Sequence, residues 1–317
     1  MLVWPADRPL RSVFMGTPAF AVPSLRALAA TTTLVGVVSQ PDRPRGRGLD
    51  SQPSPVSVAA GELGAPLLRP KSVRVAETLD AIAAWQPDLL VVAAYGKILP
   101  PALLALPTLA AVNVHASLLP RHRGAAPIAA AILAGDAETG VTIMLMSEGL
   151  DEGDMLLGRS RPIASDDTTE SLTIALADLG AVALTEAIAE LRGSGLTPER
   201  QDAARATYAP RLAKDDGRID WTRDAASIER MVRAFSPWPS AFTTLAGRTV
   251  KILAARVVND APTGGAPGTI AVRGGGIEVA TGNGTLAITT LQAEGKKAMA
   301  AAAFAAGARL TPNDRFA

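Results

Sequence analysis

Cysteine is absent from the 317 residues, and histidine occurs twice, at His115 and His122. The first absence excludes a disulfide framework, a cysteine zinc site, an iron–sulfur cluster and a thiol nucleophile. The shortage of histidine excludes a metal site of three imidazoles, and it confines any imidazole chemistry to the short segment Asn113–Gly124. Long apolar runs are missing too. No stretch of about eighteen uninterrupted apolar residues occurs, which argues against a transmembrane helix, and Pro5, Asp7 and Pro9 break the start of the chain where a secretory signal would carry its apolar region. The alanine-rich run 298–308 is too short, and its side chains too small, to span a bilayer. The expectation is a soluble, cytoplasmic protein with no membrane partner. With 48% apolar and 19% charged residues, the chain has the material for a sizeable core and a length that fits one or two domains.

The net charge of +1 conceals an asymmetry. Residues 1–200 carry 16 Lys and Arg against 20 Asp and Glu, a balance of −4, and residues 201–317 carry 15 against 10, a balance of +5. A basic C-terminal third suggests a polyanionic partner for that part, although from charge alone ordinary surface variation is the favoured account of five charges over 117 residues.

Through the first two hundred residues short apolar runs alternate with helical patterns. Ser12–Met15, Thr33–Ser39, Asp88–Ala94, Ala110–His115 and Val141–Met146 read as strands; 73–85, 127–134 and a long segment after Asp167 read as helices, the last with Asp167 and Glu170 as its cap and Gly193 as its stop. Such alternation predicts a parallel sheet covered on both faces. Near residue 194 the texture changes to linker composition. Beyond it lie one helical segment, 225–235, and β-like runs at 249–258, 268–272, 277–280 and 285–291, with Gly274-Gly-Gly and Gly282-Asn-Gly as turns. Closely spaced short strands suggest a small barrel, of which the oligonucleotide-binding type is one candidate. The expected division is 1–194 as one domain, 195–212 as linker and 213–317 as a second.

Two segments have the residue types for chemistry. Asn113 and His115, two apart on a strand, project from one face at the strand's C-terminal end, where open α/β sheets bind ligands. An amide and an imidazole can both donate to one oxygen, as acyl transfer requires when a carbonyl becomes a tetrahedral oxyanion; one such donor contributes roughly 3–4 kcal/mol. His122, beside Arg121 and Arg123, reads as an exposed loop residue. The second segment, Glu148-Gly-Leu-Asp-Glu-Gly-Asp, follows a strand and offers a carboxylate to pair with His115; a solvated acidic loop and a divalent-metal loop are the other readings, though the spacing does not fit a calcium loop. The turn Gly16-Thr-Pro lies where a dinucleotide fingerprint would, but the G-x-G-x-x-G pattern is missing. The loop Gln40-Pro-Asp-Arg-Pro-Arg-Gly-Arg-Gly48 reads either as a flexible surface loop or as an arginine-rich arm for phosphates that orders on contact.

The phrases FMGTPAFAVPSL, QPDRPRGRG, AAYGKILP, NVHASLLPRHRGAAPI, GLDEGDML, IDW, AFSPWP and APGTI together resemble the methionyl-tRNA formyltransferase family, a branch of the folate-dependent formyltransferases. The resemblance implies an α/β fold with a Rossmann-like parallel-sheet formyltransferase domain and a small, oligonucleotide-binding-like β-barrel. It implies transfer of the formyl group of 10-formyltetrahydrofolate to the α-amino group of methionyl initiator tRNA, without a metal, by a protein expected to be a monomer. Asn113, His115 and Asp151 would be the catalytic residues. Ser117, Leu118, Leu119 and Pro120 would contact the folate, with Ile98 and Leu99 walling the pterin pocket. Arg43, Arg45 and above all Arg47 would reach the tRNA acceptor end, and the C-terminal barrel would hold the tRNA. Leu49-Asp50 stand where some relatives have a lysine pair. Residues 1–9 resemble an extension ahead of the family's first strand.

Overall fold

The structure, a computed structural model, describes all residues except 46–49, 260–264 and 312–313, with the backbone alone at 43–45 and 50. The chain forms two units. One comprises Met1–Pro127, Glu138–Pro162 and Thr173–Ala209, the other Ile128–Ala137, Ile163–Leu172 and Pro210–Ala317.

A seven-stranded sheet organises the first unit: β1 (Arg11–Gly16), β2 (Thr33–Val38), β3 (Leu67–Leu68), β4 (Leu89–Ala93), β5 (Ala110–His115), β6 (Glu138–Leu145) and β7 (Met155–Pro162), in the order β7-β6-β5-β4-β1-β2-β3. Five strands, from β5 to β3, are parallel, and every residue of the all-apolar β4 is buried, as burial on both faces demands. The expected alternation breaks at β6. This strand runs antiparallel to β5, with Leu145 opposite Val112 and Thr142 opposite His115, and forms a hairpin with the unanticipated β7. An apolar run carries no record of its direction, so periodicity could find β6 but not orient it.

The helices of this region are α1 (Val22–Thr31), α2 (Pro55–Glu62), α3 (Ala76–Ala83), α4 (Pro101–Leu104), α5 (Pro127–Ala134) and α6 (Thr169–Arg192). The cap of α6 is not Asp167 with Glu170. Thr168 and Ser171 exchange backbone-to-hydroxyl hydrogen bonds of 3.2 and 3.0 Å, and Asp167 instead accepts from Ala164 N and Ser171 Oγ. By length and composition α6 would pass as a membrane span. Its Leu176, Leu184, Ile188 and Leu191, however, are buried in the protein, and Gly180 lies where a Cβ would stand 2.9 Å from Val114 Cγ1. The helix therefore packs closely on β5, on the face opposite Asn113 and His115.

Residues 1–9, expected as an extension, are built into this unit. Leu2 and Leu196 exchange backbone hydrogen bonds of 2.7 and 2.8 Å, and Trp4 N donates to Leu191 O. The Trp4 ring is buried under the Arg8 guanidinium, 4.4 Å from the ring centroid. The segment expected as linker is likewise ordered against this unit up to Ala209: Glu199 bridges Met155, and Tyr208–Ala209 pairs in parallel with Arg123–Gly124.

In the second unit β8 (Ala241–Leu245), β9 (Arg248–Asn259), β10 (Ile270–Arg273), β11 (Gly276–Ala280), β12 (Thr285–Ala293) and β13 (Met299–Ala300) form an antiparallel sheet ordered β8-β9-β12-β11-β10, with β13 beside β12. Helices α7 (Ala225–Ala234) and α8 (Ala301–Ala308) accompany it. The turn between β10 and β11 uses Gly274 and Gly275, both at positive φ, as a two-residue hairpin of this twist requires. The chain's last residues complete the barrel. Ala317 exchanges two 3.0 Å hydrogen bonds with Thr244 of β8, Phe316 N donates to Gly268 O, and Ile270 N of β10 donates to Asp314 O. Phe316 is buried and stacks on Trp221, with ring centroids 5.6 Å apart. Neither β8 nor α8 was expected from the sequence, because β8 is short and follows the turn-forming Ser236–Pro239 (SPWP).

Candidate active site

Strand β5 carries Asn113 and His115 on one face, and the acidic loop supplies the third group. Because β6 is antiparallel, that loop leaves the sheet beside the beginning of β5 and must fold back to reach the strand's end. Gly153 permits the reversal, since a Cβ there would come within 1.9 Å of Leu145 O. Asp151 takes a left-handed conformation, φ +54°, which a non-glycine residue holds only when its surroundings fix it. Its Oδ1 accepts from Asn113 Nδ2 at 3.4 Å. Its Oδ2 accepts from Gly124 N at 2.9 Å and lies 3.6 Å from His115 Nδ1. The three residues expected as a constellation, 38 positions apart in sequence, are thus brought together.

His115 is 5% exposed. Its Nε2 lies 3.1 Å from the backbone carbonyl of His122, and since a carbonyl only accepts, Nε2 carries the hydrogen. In the neutral ring Nδ1 is then a bare lone pair facing the Asp151 carboxylate. Burial pushes the His115 pKa below the ordinary imidazole value, while the Asp151 charge and the His122 carbonyl pull in the opposite direction without overcoming it. The group is a neutral imidazole with a basic nitrogen aimed at the site and a carboxylate ready to stabilise the cation formed when it takes a proton.

His122 is not an exposed loop residue. It is 6% exposed, holds φ +58°, and its N–H donates to Thr207 Oγ1 at 2.8 Å; its carbonyl meets His115 Nε2, and its ring adds to the lowering of the His115 pKa. The loop geometry places it under the strand of Tyr208–Ala209, contacts that no local sequence pattern encodes. Arg123 is also buried and donates from Nε and Nη2 to Gln201 Oε1. Gln201 and Thr207 lie in the segment of linker composition, where nothing in the sequence marks them.

The stretch expected to meet folate forms a fixed turn. Ser117 Oγ donates to Arg121 O, Leu119 N donates to Thr142 Oγ1, and Thr142 Oγ1 donates to Ser117 O. Ser117, Leu119, Pro120 and Leu99 are buried, Leu118 is half-buried and Ile98 is 70% exposed. Ile98 and Leu99 follow β4, the parallel neighbour of β5, so both segments leave the same edge of the sheet. Between them Tyr95 is buried, which pushes its phenol up to about 12, and its carbonyl accepts from Gln40 Nε2 at 2.6 Å. In the arginine loop the backbone of Arg43–Arg45 pairs with Asp50–Gln52, so these flanks have structure where a loop without its own order was expected; Arg47 lies outside the described residues. Among the described residues no group of three His, Asp or Glu is arranged to hold a metal ion.

A mostly parallel, Rossmann-like sheet brings an amide, a buried imidazole and a carboxylate together at its carboxyl edge, an arrangement suited to a group-transfer enzyme of the acyl-transfer class. Residues 10–188 match the formyl transferase family, and residues 211–309 match the formyl transferase C-terminal domain. A methionyl-tRNA formyltransferase of Citrifermentans bemidjiense is 50% identical over 305 residues, 96% of this chain and 95% of the relative. That of Marinobacter nauticus is 50% identical over 291 residues, 91% of this chain and 93% of the relative. In fold the chain is similar to the sugar 3N-formyl transferase WlaRD, solved with dTDP and 5-N-formyl-THF, at TM-score 0.66 and 18% identity over 92% of this chain and all of that one. An N-formyltransferase of Helicobacter canadensis, solved with folinic acid and dTDP-3-aminofucose, gives 0.64 and 17% over 88% and 98%. The chain belongs to the methionyl-tRNA formyltransferase family.

Proposed function

We propose that this enzyme transfers the formyl group of 10-formyltetrahydrofolate to the α-amino group of methionyl initiator tRNA. The observation that carries the chemistry is the convergence of Asn113, His115 and Asp151 at the end of β5. The amine attacks the formyl carbon, a C–N bond forms, and the carbonyl oxygen becomes an oxyanion. Asn113 Nδ2 serves that oxyanion: its 3.4 Å bond to Asp151 is long and readily exchanged for a better acceptor. The proton lost by the amine passes to His115 Nδ1, with Asp151 stabilising the imidazolium. When the intermediate collapses, the bond between N10 of the folate and the formyl carbon breaks and N10 receives the proton. Because His115 Nε2 is committed to the His122 carbonyl, its help to the oxyanion requires that bond to be released.

The folate is read as seated on the turn Ser117–Pro120 and against Ile98 and Leu99. Ile98 supports this reading, a large apolar side chain left exposed at the edge where the reacting groups lie. Arg43, Arg45 and Arg47 are read as the contact to the tRNA acceptor end, and the basic C-terminal domain, 213–317 beyond a connection at 195–212, as the hold on the tRNA body. The protein is read as a cytoplasmic monomer that associates with no membrane. The test is formyl transfer from 10-formyltetrahydrofolate to charged initiator tRNA beside charged elongator tRNA, with preference for the initiator expected. An amino sugar accepted in place of either tRNA would instead make the chain a sugar-directed member of the same fold. Arg47→Ala is expected to lower productive tRNA use about tenfold, the loss of one charge-assisted contact, with tetrahydrofolate affinity unchanged; unaltered steady-state kinetics would remove Arg47 from the tRNA contact.

A further inference from the structure

Gln201 is buried, and all of its hydrogen-bonding capacity is spent on the elements that flank the active site. Its Nε2 donates to the backbone carbonyls of Asp151 at 2.8 Å and Gly153 at 2.7 Å. Its Oε1 accepts from both Nε and Nη2 of Arg123, at 3.0 and 2.8 Å. Arg123 is buried too, and its Nη1 lies 3.5 Å from Glu152 of the same acidic loop. Arg123 precedes Gly124, whose N–H holds the Asp151 carboxylate, and follows His122, whose carbonyl holds His115 Nε2. One amide side chain therefore joins the backbone of the Asp151 loop to the turn that positions both Asp151 and His115.

The conformation of Asp151 shows why such a join is needed. Its left-handed backbone is a minority conformation even for aspartate, which tolerates it better than most side chains do, and Gly149 and Gly153 on either side leave the loop free to relax. The two donated bonds fix the carbonyls of the strained residue and of Gly153, which allows the loop's return. A charged guanidinium bonded to Oε1 polarises the amide and strengthens its N–H donors.

We propose that Gln201 is a positioning residue for formyl transfer, holding Asp151 against Asn113 and His115 through the backbone of its loop. This rests on the reading of Asp151 as part of the catalytic constellation. Gln201→Glu keeps the acceptor for Arg123 and puts a carboxylate oxygen against two carbonyls, so it releases the loop alone. Misplacement of a reacting group by about 1 Å lowers rates on the order of 100-fold, and a fall of that size is expected in the single-turnover rate, with tetrahydrofolate and tRNA affinities within about threefold of wild type. The deciding measurement is a cycle with Asp151→Asn. If Gln201 acts through Asp151, the double variant is no slower than Asp151→Asn alone. A double variant slowed by the full product of the two single losses, or a Gln201→Glu enzyme at wild-type rate, overturns the proposal. An Asp151→Asn enzyme at wild-type rate overturns the reading of the site itself, a distinguishable failure. Gln201→Met, uncharged and of similar length, runs the same cycle if the glutamate variant does not fold.

Discussion

Buried and half-buried polar side chains in the first unit join stretches of chain that are far apart, Arg123 to Gln201, Asn113 to Asp151 and Thr207 to the His122 N–H, around the candidate site. In the second unit Ser240 and Thr281 bond carbonyls within three residues of themselves. Its long-range polar contacts include Thr243, which takes the Trp221 indole N–H and donates to Ala317 O, Thr169 Oγ1 to Ala234 O and Arg233 Nη1 to Asp167 O; none of them meets Asn113, His115 or Asp151. Ile252, Val279, Leu286, Leu291 and Phe316 form its apolar core. A buried polar group costs free energy unless it is paired, and in the first unit the paired ones gather round the candidate site.

This contrast can be broken by experiment. The largest effect is expected from His115→Ala, which removes the proposed base: transfer should fall about 10³-fold while tRNA affinity, assigned by the proposal to the basic regions, stays within twofold. A parallel loss of tRNA binding would mean that the two functions are not divided in this way. Next in size, Phe316→Ala removes a buried aromatic at the barrel's seam, worth about 3–5 kcal/mol. Hydrogen exchange should quicken in β8 and β10 while amides of β4 and β5 keep their protection; uniform loss of protection would show a single cooperative structure. The smallest effect is in pH. A base whose pKa burial has lowered is lost only as pH falls below the ordinary imidazole value of about 6.5, so the acid limb of kcat/KM should lie under that value. Asp151→Asn removes the charge that raises it and should move the limb lower still in the residual activity. A limb that moves upward would contradict the ion pair.

Much of the site could be read along the chain. Asn113 and His115 follow from a two-residue period on a strand that ends in a ligand-binding position, and helix α5 at Pro127–Ala134 matches its pattern residue for residue. Asp151 needed the resemblance, because four acids in the loop compete for the role and composition ranks none of them. Gln201 and Thr207 were illegible, since a polar segment has the same composition whether it floats as a linker or is pinned across the first unit. His122 was misjudged for the same reason: two flanking arginines suggest solvent, but one of them, Arg123, is itself buried on an amide.

What the sequence determined by itself is much of the inventory and the local order: five of the seven strands of the first sheet, the one imidazole that stands on a strand end, and the exclusion of thiol chemistry. Only the tertiary structure decided the direction of β6, the return of the acidic loop onto β5, the burial of His122 and Arg123, and the closing of the barrel by Asp314–Ala317. Periodicity reports which side chains a segment buries. It says nothing about which distant backbone carbonyl or amide a side chain will meet, and in this protein those encounters set the geometry in which His115 works.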